Sequence, residues 1–78
     1  MFTIKVYGQN GYEAYSCKSY SFFYEENGHL LMTLSPSLNI GEESKAVPVK
    51  ASEYGDKIIY VENMIGKTID RYVVKKGQ

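Results

Sequence analysis

Tyr20-Ser21-Phe22-Phe23-Tyr24-Glu25-Glu26-Asn27-Gly28-His29-Leu30-Leu31-Met32-Thr33-Leu34-Ser35 is the stretch that decides the fold class. Two runs rich in aromatic and aliphatic residues flank Asn27-Gly28. Both turn residues tolerate positive φ, which a type I′ hairpin turn requires at its two central positions. The stretch therefore predicts a hairpin in which residues 20–26 pair with residues 29–35. On the second strand the period of two sends Leu30, Met32 and Leu34 to the core and Leu31 and Thr33 to the opposite face.

Upstream, residues 12–25 form one long strand-like run whose pattern changes phase. Tyr15 and Cys17 share one parity, whereas Tyr20, Phe22 and Tyr24 share the other. A bulge near Lys18-Ser19 would flip the register and bend the strand, letting it serve two sheets or help close a barrel. Residues 2–7 alternate strictly, with Phe2, Ile4 and Val6 against Thr3, Lys5 and Tyr7, and Gly8-Gln9-Asn10-Gly11 reads as a turn.

Downstream, residues 36–45 are irregular, with a single helical turn expected at Ser44-Lys45-Ala46. Pro48 stops anything longer, and Val47 and Val49 around it mark a short edge strand. Residues 51–56 read as a loop with one helical turn ending at Gly55. Lys57–Glu62 and Thr68–Val74 are strands joined by the connection Asn63-Met64-Ile65-Gly66. No window carries a helical stripe. The expectation is a single all-β domain over residues 1–78, with five or six antiparallel strands built from hairpins. These form a small closed barrel or a two-layer sandwich.

The 78 residues are 44% hydrophobic and 23% charged, too apolar for a disordered chain. A chain this short buries only roughly 60% of its unfolded surface, so association into a homodimer or with a partner is a natural source of stability. Nine basic and nine acidic residues give zero formal net charge, without the basic excess of most nucleic-acid binders. The single cysteine makes no internal disulfide, and Lys5 interrupts the first apolar stretch before it could serve as a signal peptide. No apolar run reaches transmembrane length, and the expected location is cytoplasmic.

Chemistry-bearing residues are sparse. His29, the only histidine, reads as a solvated turn residue, and Cys17 as a small buried apolar one. Counting outward from the turn keeps the two apart, so no thiol–imidazole pair is expected. Two Cys or His ligands cannot close a zinc site, and Glu42-Glu43 lacks the Asp-rich surroundings of a calcium loop. Gly66-Lys67-Thr68 resembles only the end of a phosphate loop and sits in a hairpin. No catalytic residue, metal or cofactor is therefore expected.

Eight tyrosines without any tryptophan are the most unusual feature. Tyr15, Tyr20 and Tyr24 are expected mainly in packing, and Tyr7, Tyr12, Tyr60 and Tyr72 partly exposed. Tyrosine suits half-wet contacts. The expected function is a non-enzymatic protein-binding module. Small inhibitors encoded by phages and mobile elements, which occlude a surface on a larger partner, are of this class. The expected binding surface combines the outer face of the last hairpin (Tyr60, Glu62, Asp70 and Tyr72) with the acidic loop Glu42-Glu43. Strand addition at the edge near Pro48 is a further mode. The alternative is a nucleic-acid or nucleotide-binding barrel in which tyrosines stack bases and Lys5, Lys18, Lys50, Lys57 and Arg71 supply charge.

Overall fold

The computed structural model describes residues 1–41 and 43–77, which form seven strands and no helix. These are β1 (Phe2–Gly8), β2 (Gly11–Cys17), β3 (Ser19–Tyr24), β4 (Leu30–Ser35), β5 (Lys45–Val49), β6 (Lys57–Glu62) and β7 (Thr68–Val74). They make two antiparallel sheets, one ordered β2-β1-β6-β7 and the other β3-β4-β5. The sheets stack as a two-layer sandwich. Strand order leaves β2 and β5 unpaired with each other, so no barrel closes.

The core lies between the layers. Ile4, Ile59, Val61 and Val74 from the four-stranded sheet meet Leu30, Met32, Leu34 and Val49 from the three-stranded one. Leu30, Met32 and Leu34 are buried while Leu31 and Thr33 turn away, as the alternation predicts. Cys17 is buried with this cluster, and burial pushes its thiol pKa up.

The long run over residues 12–25 does bend and serve both sheets. Lys18 separates β2 from β3, and its N–H donates to the Ser35 carbonyl at 2.8 Å, tying the corner to the end of β4. The side-chain parity flips there. Cys17 points inward before the corner, and Tyr20 and Phe22 pack on the core after it. Ser35, a buried polar side chain, donates to the Asn39 carbonyl at 2.9 Å and anchors the loop that follows β4.

Three local expectations are corrected. The Asn27-Gly28 turn is not type I′, because Gly28 has φ +86° while Asn27, like every non-glycine among the described residues, does not have positive φ. Gly28 N–H donates to the Glu25 carbonyl and Glu25 N–H to the His29 carbonyl, a type I turn closed by a glycine bulge. The ladder is accordingly shifted, with Tyr24 opposite Leu30. Asn63, Gly66 and Lys67 repeat this bonding pattern. Next, Lys45 and Ala46 belong to β5 rather than to a helical turn, because they complete the ladder with Leu34 and Thr33. Last, residues 51–56 form no helix. Their polar groups are taken by the C-terminal segment: Gly77 N–H donates to the Ser52 carbonyl and Lys76 N–H to Asp56.

Candidate functional site

The register of the four-stranded sheet lays its outer face out in rows. One row runs Tyr12, Tyr7, Ile58, Val73 across β2, β1, β6 and β7, and the next runs Ala14, Lys5, Tyr60, Arg71. Ser16, Thr3 and Glu62 begin a polar third row. Strand alternation alone puts these side chains on one surface.

Aromatic rings and cations interlock on this face. Tyr7 lies 4.9 Å from Tyr12 and 5.5 Å from Tyr60, centroid to centroid, the second pair nearly perpendicular. Such edge-to-face geometry suits the ring quadrupoles. The Arg71 guanidinium sits 6.0 Å from the Tyr60 ring and the Lys5 ammonium 5.6 Å from the Tyr12 ring. Lys5 also pairs with Glu62 at 3.2 Å, and the hydrogen bond to that carboxylate, followed by its charge, holds the ammonium above its ordinary pKa. Lys5 is thus neutralised by a neighbour, whereas among the described residues no salt bridge engages Arg71. Tyr7 and Tyr12 are exposed, Tyr60 half-buried.

The residues anticipated on this surface divide. Tyr60 and Glu62 do lie on the outer face. Asp70 and Tyr72 do not, because they pair with Val61 and Ile59, two fully buried core residues. Tyr60 therefore faces Arg71, and no Tyr60–Tyr72 ladder forms. Tyr72 instead stacks on Phe22 with centroids 4.1 Å apart and donates from its hydroxyl to Asp70 at 2.8 Å. Burial, then this bond to a carboxylate, pushes its pKa up to about 12. Glu43 is exposed in the loop joining β4 to β5, on the other sheet, and Glu42 lies outside the described residues. Tyr7, Tyr12 and Arg71 belong to the patch although the expected surface names none of them. The shared outward parity of Tyr7 with Lys5 and of Tyr12 with Ala14 is the signal the sequence holds for the two tyrosines.

On one lateral side the sandwich is sealed. Tyr20 packs against Phe2, Phe22 against Tyr72, and the Tyr24 hydroxyl accepts from the Val73 N–H and donates to its carbonyl. The other side is open. A cleft of about 280 Å³ separates β2 from β5, lined by Val6, Tyr12, Glu13, Tyr15, Val47 and Val49 among others. Within it Tyr15 donates to Glu13 at 2.7 Å, which with partial burial raises the Tyr15 pKa.

His29 is not a solvated tip residue. It is half-buried, and its Nδ1 accepts from the Ala51 N–H at 2.9 Å, leaving Nε2 to carry the proton of the neutral ring. This bond fastens β4 to the segment after β5. Among the described residues no group of three His, Cys, Asp or Glu side chains is placed to hold a metal ion, and no helix is long and apolar enough to cross a membrane. Comparison with protein families, with curated proteins and with solved structures finds no match for this chain.

Proposed function

We propose that this chain is a non-enzymatic binding module whose working surface is the outer face of the four-stranded sheet and whose ligand is a surface of another protein. The observation that carries this reading is the continuous patch of Tyr12, Tyr7, Tyr60 and Arg71 on a sheet face that none of the described strands packs over. Tyrosine and arginine dominate the energetics of protein interfaces because each offers a large planar contact with a polar edge. Rings already packed on one another lose little side-chain entropy when a partner seats on them. Binding acts by occlusion, covering a functional face of the partner, as small inhibitors from phages and mobile elements do. A cytoplasmic setting fits the free Cys17.

The nucleic-acid reading draws on the same rings but meets weaker electrostatics. Lys5 is paired with Glu62, and Lys18, Lys50 and Lys57 lie at the sheet corner, beyond β5 and at the cleft. Among the described residues Arg71 is the patch cation outside a salt bridge and would be its contact for phosphate.

Affinity capture from the source cell's lysate, with and without nuclease, tests the assignment. It compares the natural chain with a Tyr7→Ser, Tyr60→Ser variant. The expected result is a protein partner that survives nuclease and is lost with the variant. Capture of nucleic acid alone, or capture unchanged by the variant, would overturn it.

A further inference from the structure

Four strand edges border this sandwich, and two of them, β7 and β5, are blunted. Hydrogen-bonding residues alternate along each strand, so the registers, phased by the Glu25–His29 bond in one sheet and the Val73–Tyr24 bond in the other, show which backbone groups face outward. Across the four-stranded sheet this places the Val73 N–H and carbonyl on the free side of β7, where the Tyr24 hydroxyl takes both. That bridge also joins the β3 edge to β7. On β5, the residues bonded to β4 are Val47 and Val49, which leaves Pro48 on the free side with no N–H to offer.

The β2 edge carries neither a side chain seated on its outward backbone groups nor a proline, and its one charge, Glu13, lies on the parity that faces the cleft. Gly8 and Gly11 close the two-residue turn before it, so Gly11, Glu13, Tyr15 and Cys17 bond to β1. The N–H and carbonyl groups of Tyr12, Ala14 and Ser16 point out. The strand runs Gly11–Cys17 without proline, lysine or bulge, and Tyr12, Ala14 and Ser16 are all exposed. Natural sheets rarely leave an edge of this kind unpaired.

We propose that β2 is a pairing edge for a second copy of this chain, joined antiparallel about a two-fold axis through Ala14. The sequence of β2 is self-complementary in this register. Ala14 meets Ala14, Tyr12 meets Ser16, and every outward backbone group finds a partner in both copies. Glu13, the strand's one charged residue, faces Tyr15 of the second copy, to whose hydroxyl a carboxylate is already the acceptor within each chain. Sliding the copies by one step toward the Gly11 end would set Glu13 against Glu13, a like-charge clash. The product is one continuous eight-stranded sheet. Because the axis stands perpendicular to that sheet, both tyrosine patches emerge on the same side.

The test is sedimentation equilibrium of the full chain across a concentration series, beside Ala14→Lys and Ala14→Pro. Lysine places two like charges at the axis. Proline removes only the outward N–H and leaves the β1 ladder intact. The expected result is a monomer–dimer equilibrium weakened about tenfold or more by either change, with circular dichroism unaltered. Register is read with a short bis-maleimide. Ala14→Cys chains should cross-link to each other, and Tyr12→Cys chains should link to Ser16→Cys chains in preference to themselves, while buried Cys17 stays silent. A chain that remains monomeric at the highest concentration would overturn the proposal. So would a dimer indifferent to both variants, or cross-links in another register. None of these outcomes bears on whether the tyrosine patch captures a partner.

Discussion

Tyr72 shows how one residue's facing changes its role. On the outer face it would be a contact residue; opposite Ile59 it is part of the seal between the sheets, with its hydroxyl committed to Asp70. The sequence of β7 could not decide this, because Ile69, Arg71, Val73 and Asp70, Tyr72, Val74 each mix apolar and charged residues. The consequence is measurable in alkali. The folded Tyr72 pKa stands at about 12 against an ordinary 10.0. A raised folded pKa means the native state holds its proton more tightly than the unfolded chain does. The associated stability is complete below pH 10 and is lost as pH rises toward about 12. Denaturant midpoints should therefore fall across that window. The latest step of a tyrosinate absorbance titration should vanish in Tyr72→Phe, and a variant that keeps this step would refute the assignment.

Elements were more legible than their joints. Both strands of the last hairpin, Lys57–Glu62 and Thr68–Val74, follow directly from β-branched and aromatic runs bounded by polar or glycine residues. The corner at Lys18 was visible as a change of phase. The turns were harder, because Asn-Gly signals a hairpin without determining whether asparagine shares the left-handed conformation. Here only the glycines adopt it, Gly28 at φ +86° and Gly66 at φ +83°, in turns with the same pair of closing hydrogen bonds. In β7 the hairpin also carries an extra residue, Ile69, between the partners of Glu62 and Val61, so counting outward from its turn misplaces every side chain beyond it. The two turns should respond alike to substitution. Neither glycine has a neighbour within 4 Å of an added Cβ, so the cost of Gly28→Ala or Gly66→Ala is conformational, about 1 kcal/mol each. Gly41→Ala, with equal space and no positive φ, should cost much less. Urea unfolding of the three variants measures the difference, and equal losses would refute the strained-turn account.

At the scale of the whole molecule, the two lateral sides of the sandwich are physically different. Aromatic rings fill the side where β3 meets β7, whereas the side between β2 and β5 remains a cleft of about 280 Å³. The imbalance follows from where the chain spends its large residues. β3 contributes Tyr20, Phe22 and Tyr24, while β5 offers only Val47 and Val49 toward the gap. Interiors respond steeply to added volume where they are already full and mildly where they are not. One added methylene should therefore have opposite effects at two valines. Val61 is fully buried between the sheets, and Val61→Leu should cost about 1–3 kcal/mol through overpacking. Val47 borders the cleft, where Val47→Leu can extend into open space, cover part of Val6 and stabilise by about 0.5–1 kcal/mol. Thermal unfolding of the two variants should thus shift in opposite directions. A loss at Val47 matching that at Val61 would mean that the cleft closes in solution and that β2 and β5 are drawn together as tightly as β3 and β7.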